Sequence, residues 1–352
     1  MRMSGKVLML SLAVLMSCLL SAAGLYEKAE DQRQQRLDAG RMQKVLVLET
    51  EPELSPAPDT LPVSAPAVSE GSEAPEPSPA PEEPEPTPEI LVSVLSSEPA
   101  QEILETTIPG GQLLKNETAY EIDPARILAD GPGLSLPAEG PQILIIHTHG
   151  SEAYTPAGLD RYDASDSNRT QDPRYSVIRV GDELAKLLEG QGLRVLHDRE
   201  IYDYPSYTGS YSRSGEAVER TLERYPEIAM VIDLHRDALG SDGVVYKTMA
   251  EEEGTVASQV MLLVGSDESG LEHPNWRSNL ALALYLQNAA VSVHPTLMRP
   301  VSLVPQRYNQ QLTSGSLILE VGSSGNTLQE ALSAIRLFAE AVGPALLDLT
   351  DS

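Results

Sequence analysis

One cysteine, one phenylalanine and one tryptophan occur among 352 residues. The cysteine, Cys18, sits in an apolar run near the N-terminus. The rest of the chain therefore has no disulfide, no cysteine-ligated metal and no cysteine nucleophile. Cations are scarce as well. Lys and Arg number 25 against 52 Asp and Glu, a formal net charge of -27, which repels nucleic acid and anionic membrane surfaces and argues against nucleic acid as a partner. No G-x-S-x-G run is present to raise a serine on a strand-to-helix elbow, so a serine hydrolase would have histidines without a mapped nucleophile. Internal repeats are absent too.

The acidity is concentrated rather than general. Residues 51–100 alternate Pro, Glu, Ala and Ser with no Lys or Arg, the composition of a disordered, semi-extended linker. Stretched at ~3.1 Å per residue, it reaches on the order of 150 Å. Before it, Arg2 and Lys6 precede an uncharged run from Val7 to Leu25, which as a helix spans roughly 28 Å, close to the ~30 Å hydrocarbon core. Residues 1–25 thus read as a transmembrane anchor or a signal. Small residues at Ser21, Ala22 and Ala23 suit cleavage, and Leu15, Met16 and Ser17 before Cys18 leave a lipoprotein open. In each reading the N-terminal charges stay in the cytoplasm and the bulk of the chain lies outside, held to the membrane if the N-terminal helix is kept. Residues 26–50 mix charge and apolar side chains at roughly helical spacing, as a juxtamembrane segment. Residues 101–140 are transitional, with turn signals at Pro109, Gly110 and Gly111 and at Gly131, Pro132 and Gly133.

From 141 to 349 short apolar runs alternate with helical stretches, the signature of a single α/β domain with a mostly parallel, twisted sheet flanked by helices. Strands are predicted at 142–147, 194–198, 228–234, 258–265 and 316–322. Helices are predicted at 175–192, 215–225, 273–293 and 326–349, the last opening with a capping box of Thr327 and Glu330.

Three strands of this set end in residues suited to chemistry. The first runs into HTHGSEAY, 147–154, and in open α/β sheets ligands gather beyond the carboxyl ends of strands. His149 and Glu152 have a spacing that lets an imidazole and a carboxylate converge on one cation. The second strand ends in DLHRDA, 233–238. If the strands are parallel, His149 and His235 emerge on one rim, and two imidazoles with one carboxylate give Zn2+ three ligands and an open fourth position. The third carries Glu320, a lone carboxylate in the apolar run SLILEVG, which is costly to bury without a use. It is a candidate general base that takes a proton from water during attack on a carbonyl and returns it to the leaving amine. Metal and base together describe amide hydrolysis. Alternation puts His147 and His149 on one side, so that one binds the metal and the other supports it, and puts Asp233 on the same strand face as His235. Arg236 is a candidate fork for a substrate carboxylate or a structural residue. Ser210, Tyr211 and Arg213, with Tyr308, Asn309 and Gln310, are candidate groove-lining groups on loops. His197, His273 and His294 read as surface or packing residues, and Trp276 as core.

On HTHGSEAY, YSVIRVGDELAKLLEGQG, SYSRS, DLHRDA, RYNQQLTSGSLILEVG and GNTLQEAL, taken in that order, the chain resembles the stage II sporulation protein P family. The domain of that family looks like the zinc-dependent N-acetylmuramoyl-L-alanine amidases. The resemblance implies a peptidoglycan hydrolase acting during forespore engulfment. It would remove stem peptides from glycan strands, with cutting of cross-links left open as a further activity, and stage II sporulation proteins D and M as partners. It favours His149 as ligand, and it leaves the carboxylate open between Glu152 and Asp172, since the amidases take theirs at the start of the next helix. Gly150 stands where the family's first run suggests threonine, and Ser323 with Ser324 replaces a glycine-rich turn. A wall-binding or scaffold module that has lost activity is the rival reading, and the presence of His149, His235 and Glu320 speaks against it.

Overall fold

A computed structural model describes residues 102–351 except 109, 110, 112, 242 and 243. The anchor or signal (1–25), the juxtamembrane segment (26–50) and the acidic linker (51–100) lie outside the described residues. Among the described residues no helix is long and apolar enough to cross a membrane.

The segment read as transitional is structured: it supplies β1 (Glu102–Thr106), β2 (Leu114–Asn116) and α1 (Pro124–Asp130). There follow β3 (Ile143–Ile146), α2 (Val177–Gly190), β4 (Val195–His197), α3 (Ser210–Arg224) and β5 (Met230–Asp237). Next come β6 (Gly240–Ser241), β7 (Val244–Glu252), β8 (Thr255–Ser258), β9 (Val260–Gly265) and α4 (Trp276–Val293). The chain closes with β10 (Val301–Val304), β11 (Gly315–Ser323) and α5 (Leu328–Leu347).

Seven strands form the main sheet in the order β2-β10-β9-β11-β5-β3-β4. Every neighbouring pair is parallel except β9 with β11. The sheet is thus mostly parallel, but β9, β10 and β2 run opposite to the rest, and only β3, β5, β11 and β4 end on a common rim. A second sheet was not expected. It joins β1, β6, β7 and β8 through β7, and β7 alternates buried and more exposed positions with one break in the period.

Alternation along the main strands builds two apolar faces. Ile143, Ile145, Met230, Ile232 and Leu234 pack with α2, α4 and α5 in the larger core, while Leu144, Ile146 and Val231 meet Ala217 and Val218 of α3 on the other side. Trp276 is core as expected and stacks on Tyr120. α2 starts where the Ser176 hydroxyl accepts from the Ile178 N–H, and α5 starts at the expected Thr327 and Glu330 capping box.

α3 begins at Ser210 rather than 215. Gly215 looks like a helix start in sequence, yet it lies inside the helix, where the absence of a Cβ leaves room for the Asn309 side chain, 3.0 Å from where that atom would be. Ser210, Tyr211 and Arg213 are therefore on a helical turn and not on a loop, which fixes their directions.

Two predictions concern α2. His147 and His197 meet across the edge of the sheet, Nε2 to Nε2 at 2.8 Å, and a Cβ on Gly181 would lie 2.7 Å from both nitrogens. Gly181→Ala is expected to cost about 1–3 kcal/mol by overpacking, read from the denaturant midpoint; an unchanged midpoint would mean that the pair yields freely.

The second involves Glu183, which joins α2 to α5 through Arg336 (Nε to Oε1, 2.7 Å) with Arg179 alongside. Burial alone would raise its carboxyl, but Arg336 and then Arg179 hold it below the ordinary value. A depressed carboxylate contributes stability above its unfolded pKa, roughly 4.3, and that contribution is lost as pH falls through the folded value. Because Arg336 is half exposed, Glu183→Gln should cost about 1 kcal/mol at pH 7, with the deficit closing in acid. An equal deficit at both pH values would assign it to packing.

Candidate metal centre

His149, Glu152 and His235 converge at the carboxyl rim of β3 and β5, where one ligand atom from each lies within 4.8 Å of the others. β5 places His235 by strand geometry, and its register neighbour on β11 is Glu320. Parallel register partners share a face, so Glu320 stands beside the three. His149 and Glu152 come from the turn after β3, in which the Glu152 N–H donates to the His149 carbonyl (3.0 Å) and folds both side chains to one side.

All three groups are buried. Glu152 Oε1 lies 3.5 Å from His149 Nδ1, and Oε2 lies 3.3 Å from His235 Nδ1. The two imidazoles cross at right angles with centroids 5.0 Å apart. Burial opposes ionisation of Glu152, but Arg236 and then the two imidazoles hold its carboxyl well below the usual range. The Asp233 carboxyl is likewise lowered against burial, by His235 and then by Thr148. Thr148 donates its backbone N–H to Asp233 Oδ1 at 2.8 Å, and its hydroxyl lies 2.7 Å from both Asp233 Oδ2 and Ser214 Oγ. His235 Nε2 is 2.9 Å from Asp233 Oδ1 but lacks hydrogen-bond alignment, so that buried nitrogen has no hydrogen-bond partner. The contact still orients the ring, as a carboxylate behind a ligating imidazole does.

Glu320 is the opposite kind of carboxyl. Burial, with Asp237 and Glu152 adding to it, pushes its pKa up to about 8 against the pull of His235 and Arg236. Its Oε2 is buried with no hydrogen-bond partner. A carboxyl perturbed by burial beside a cluster of potential ligands is equipped to hold and release a proton near neutrality.

The supporting residues sort differently from the sequence expectation. His147 does not share a side with His149, because β3 ends at Ile146 and strand alternation stops there; its Nδ1 contacts the Leu234 carbonyl at 2.8 Å and its Nε2 contacts His197. Burial and then His197 lower its pKa to about 3, so it is a neutral packing residue. His197, His273 and His294 are all partly or wholly buried. Arg236 is buried, gives its side chain to the carbonyls of Ala153 and Asn168 at 3.0 Å each, and donates its backbone N–H to Glu152 Oε2 at 3.2 Å. It holds the turn bearing Glu152 and is not free for a substrate carboxylate. Arg213 is likewise committed to the carbonyls of Tyr202, Ser206 and Thr208. Ser210 is buried at the start of α3. Asp172 lies outside the cluster, paired with Arg174.

Near the cluster, Arg169, Tyr207 and Ser214 carried no sequence signal. Arg169 reaches Glu152 Oε1 at 3.4 Å, bonds Ser151 and Asp203, and lies over the Tyr207 ring. Tyr207 in turn stacks on His149 at 4.6 Å, and Tyr211 meets the same imidazole edge-on at 5.5 Å. These contacts join segments distant in sequence, and no local spacing announces them. Asn309 donates to the Tyr211 carbonyl at 2.7 Å. Thr148, Ser214, Asp233, Tyr308 and Asn309 line a small cleft on the α3 side, with room for about one water-sized group.

The profile of the stage II sporulation protein P family matches residues 69–343. Stage II sporulation protein P of Bacillus subtilis (strain 168) is 26% identical over 209 residues, which cover 56% of this chain and 49% of that one. The match therefore spans about half the length of that curated relative. Solved structures that align include N-acetylmuramoyl-L-alanine amidase AmiC2 of Nostoc punctiforme, at 14% identity over 60% of this chain and 98% of that one with a TM-score of 0.34. The CwlD amidase from Clostridioides difficile in complex with the GerS lipoprotein aligns at 14% identity over 59% and 99%, with a TM-score of 0.35.

Proposed function

The chain belongs to the stage II sporulation protein P family, and from that premise we propose that it is a zinc-dependent peptidoglycan hydrolase of sporulation. Its reaction is cleavage of the amide between N-acetylmuramic acid and the stem peptide. The observation that carries the reading is the buried convergence of His149, Glu152 and His235 beside Glu320, a carboxyl with one unpaired oxygen.

Two imidazoles and a carboxylate are the donor set of catalytic zinc sites that keep a position open, and the three groups lie in contact range around a common centre. The residues fit the ion. When bound, zinc supplies Lewis acidity and makes water easier to deprotonate. The chain's own groups do the rest. Asp233 and Arg236 fix His235 and Glu152, the surrounding burial excludes bulk water, and Glu320 Oε2 takes the proton of the attacking water and gives it to the leaving nitrogen.

Family membership supports engulfment of the forespore as the setting, with stage II sporulation proteins D and M as partners. The apolar run at 7–25 and the acidic linker support a membrane-held enzyme facing the cell wall. Mass analysis of muropeptides released from purified sacculi tests the reaction. Loss of peptide from muramic acid is the expected result. Broken cross-links in its place would make the protein an endopeptidase, and intact sacculi that retain the protein would make it a scaffold.

A further inference from the structure

Buried phenols ordinarily find a hydrogen-bond partner, and most of those around this domain do. Tyr154 donates to the Val321 carbonyl, Tyr162 to the Tyr154 carbonyl, Tyr202 to Asp198, and Tyr285 to the Ala345 carbonyl. The half-buried Tyr175 and Tyr225 make none either; Tyr211 and Tyr308 are set apart by where they lie. Both are half-buried beside the metal cluster, and no hydrogen bond joins either phenol to a described residue. The Tyr211 ring touches His149 on one side, with centroids 5.5 Å apart, and Tyr308 on the other at 5.4 Å.

Their placement is held at some cost. Tyr308 and Asn309 both adopt left-handed backbone angles, φ 50° and 59°, which non-glycine residues rarely take and which persist where the surroundings over-determine them. The Gln310 side chain ties this turn to β9 through the Gly265 N–H and the Leu263 carbonyl. Asn309 reaches across to the Tyr211 carbonyl at 2.7 Å and fixes the first turn of α3, and Gly215 leaves the room for it. The result is an unpaired O–H donor on a braced ring that touches a candidate ligand. Both phenols also lie within the field of Glu320.

We propose that Tyr211 is a catalytic residue whose phenolic O–H donates to the carbonyl oxygen of the scissile amide as that oxygen becomes an oxyanion, and that Tyr308 is a positioning residue that holds the Tyr211 ring. The inference rests on the amide-hydrolase reading. Water gives a proton to Glu320 Oε2 and its oxygen bonds to the carbonyl carbon, while the C=O π pair moves onto the carbonyl oxygen, where the Tyr211 hydrogen bond tightens. The pair then returns, the C–N bond breaks, and the nitrogen leaves with the proton from Glu320. Tyr211 keeps its own proton throughout. Donors aimed at developing charge are among the largest single contributions to such reactions.

The test compares full-length, zinc-loaded wild type with Tyr211→Phe and Tyr308→Phe, which keep both rings. It reads kcat and KM for stem-peptide release, zinc content, and affinity for a phosphinate analogue of the scissile amide. Tyr211→Phe is expected to lower kcat by about 10²–10³-fold, with KM and zinc unchanged and phosphinate binding weakened in proportion. Tyr308→Phe should retain most of kcat. Wild-type kcat in Tyr211→Phe, a loss confined to KM, a loss that tracks zinc, or a larger loss in Tyr308→Phe would each overturn the assignment while leaving the hydrolase reading intact. Absence of hydrolysis by the wild type would overturn both.

Discussion

Replacing Glu320 with glutamine is expected to leave zinc content at the wild-type level and to lower stem-peptide release by about 10²–10⁴-fold, the usual contribution of a positioned general base. Glutamine keeps the shape and removes the function, because an amide oxygen does not accept and return a proton near neutrality. Zinc is retained because Glu320 is outside the His149, Glu152 and His235 group. Folding should not suffer. The wild-type Oε2 is buried and unpaired, and burial pushes the carboxyl up to about 8, so near neutrality the group is mostly protonated and a neutral amide of the same shape replaces it at little cost. Equal thermal stability is therefore expected alongside lost turnover. Metal analysis, a melting curve and muropeptide release on one preparation check all three, and full hydrolysis by the variant would remove Glu320 from the reaction.

What could be read from the residues alone divides by range. The strands carrying His235 and Glu320 are legible because a run of apolar residues interrupted by a polar group is a local pattern, and burial makes the interruption costly. The Thr327 and Glu330 cap is legible because it is contained in four residues. The small sheet around β7 is not, since β1 is paired with a strand more than a hundred residues away and its sequence lies among turn-forming residues. The same distinction holds at the site. His149 and Glu152 share one turn, and their convergence follows from spacing. Arg169, Tyr207 and Ser214 reach the cluster only through tertiary packing. The misplacement of His147 has a simple cause: alternation applies within a strand, and β3 ends at Ile146, before either histidine.

His235→Ala and His149→Ala should both reduce zinc from about one per chain to near none and abolish hydrolysis, since three protein ligands are the minimum such a site uses. Their effects on the metal-free fold should differ, and that difference tests how the centre is built. His235 lies between two buried carboxylates, 3.3 Å from Glu152 and 2.9 Å from Asp233. Its removal leaves them facing a void with no cation between. Breaking such a buried arrangement costs about 3–5 kcal/mol, and the low end applies here because Thr148 still bonds Asp233 and Arg236 still bonds Glu152. His149 contacts only one carboxylate, Glu152 at 3.5 Å, and its other neighbours are the rings of Tyr207, Tyr211 and His235, so its loss strands no pair of charges and should cost less. Unfolding both variants in the presence of a chelator separates the two effects: His235→Ala should fall well below wild type and His149→Ala should stay near it. Equal stability of the two would mean that His235 is not the bridge between the carboxylates, and zinc retained by either would remove that histidine from the ligand set.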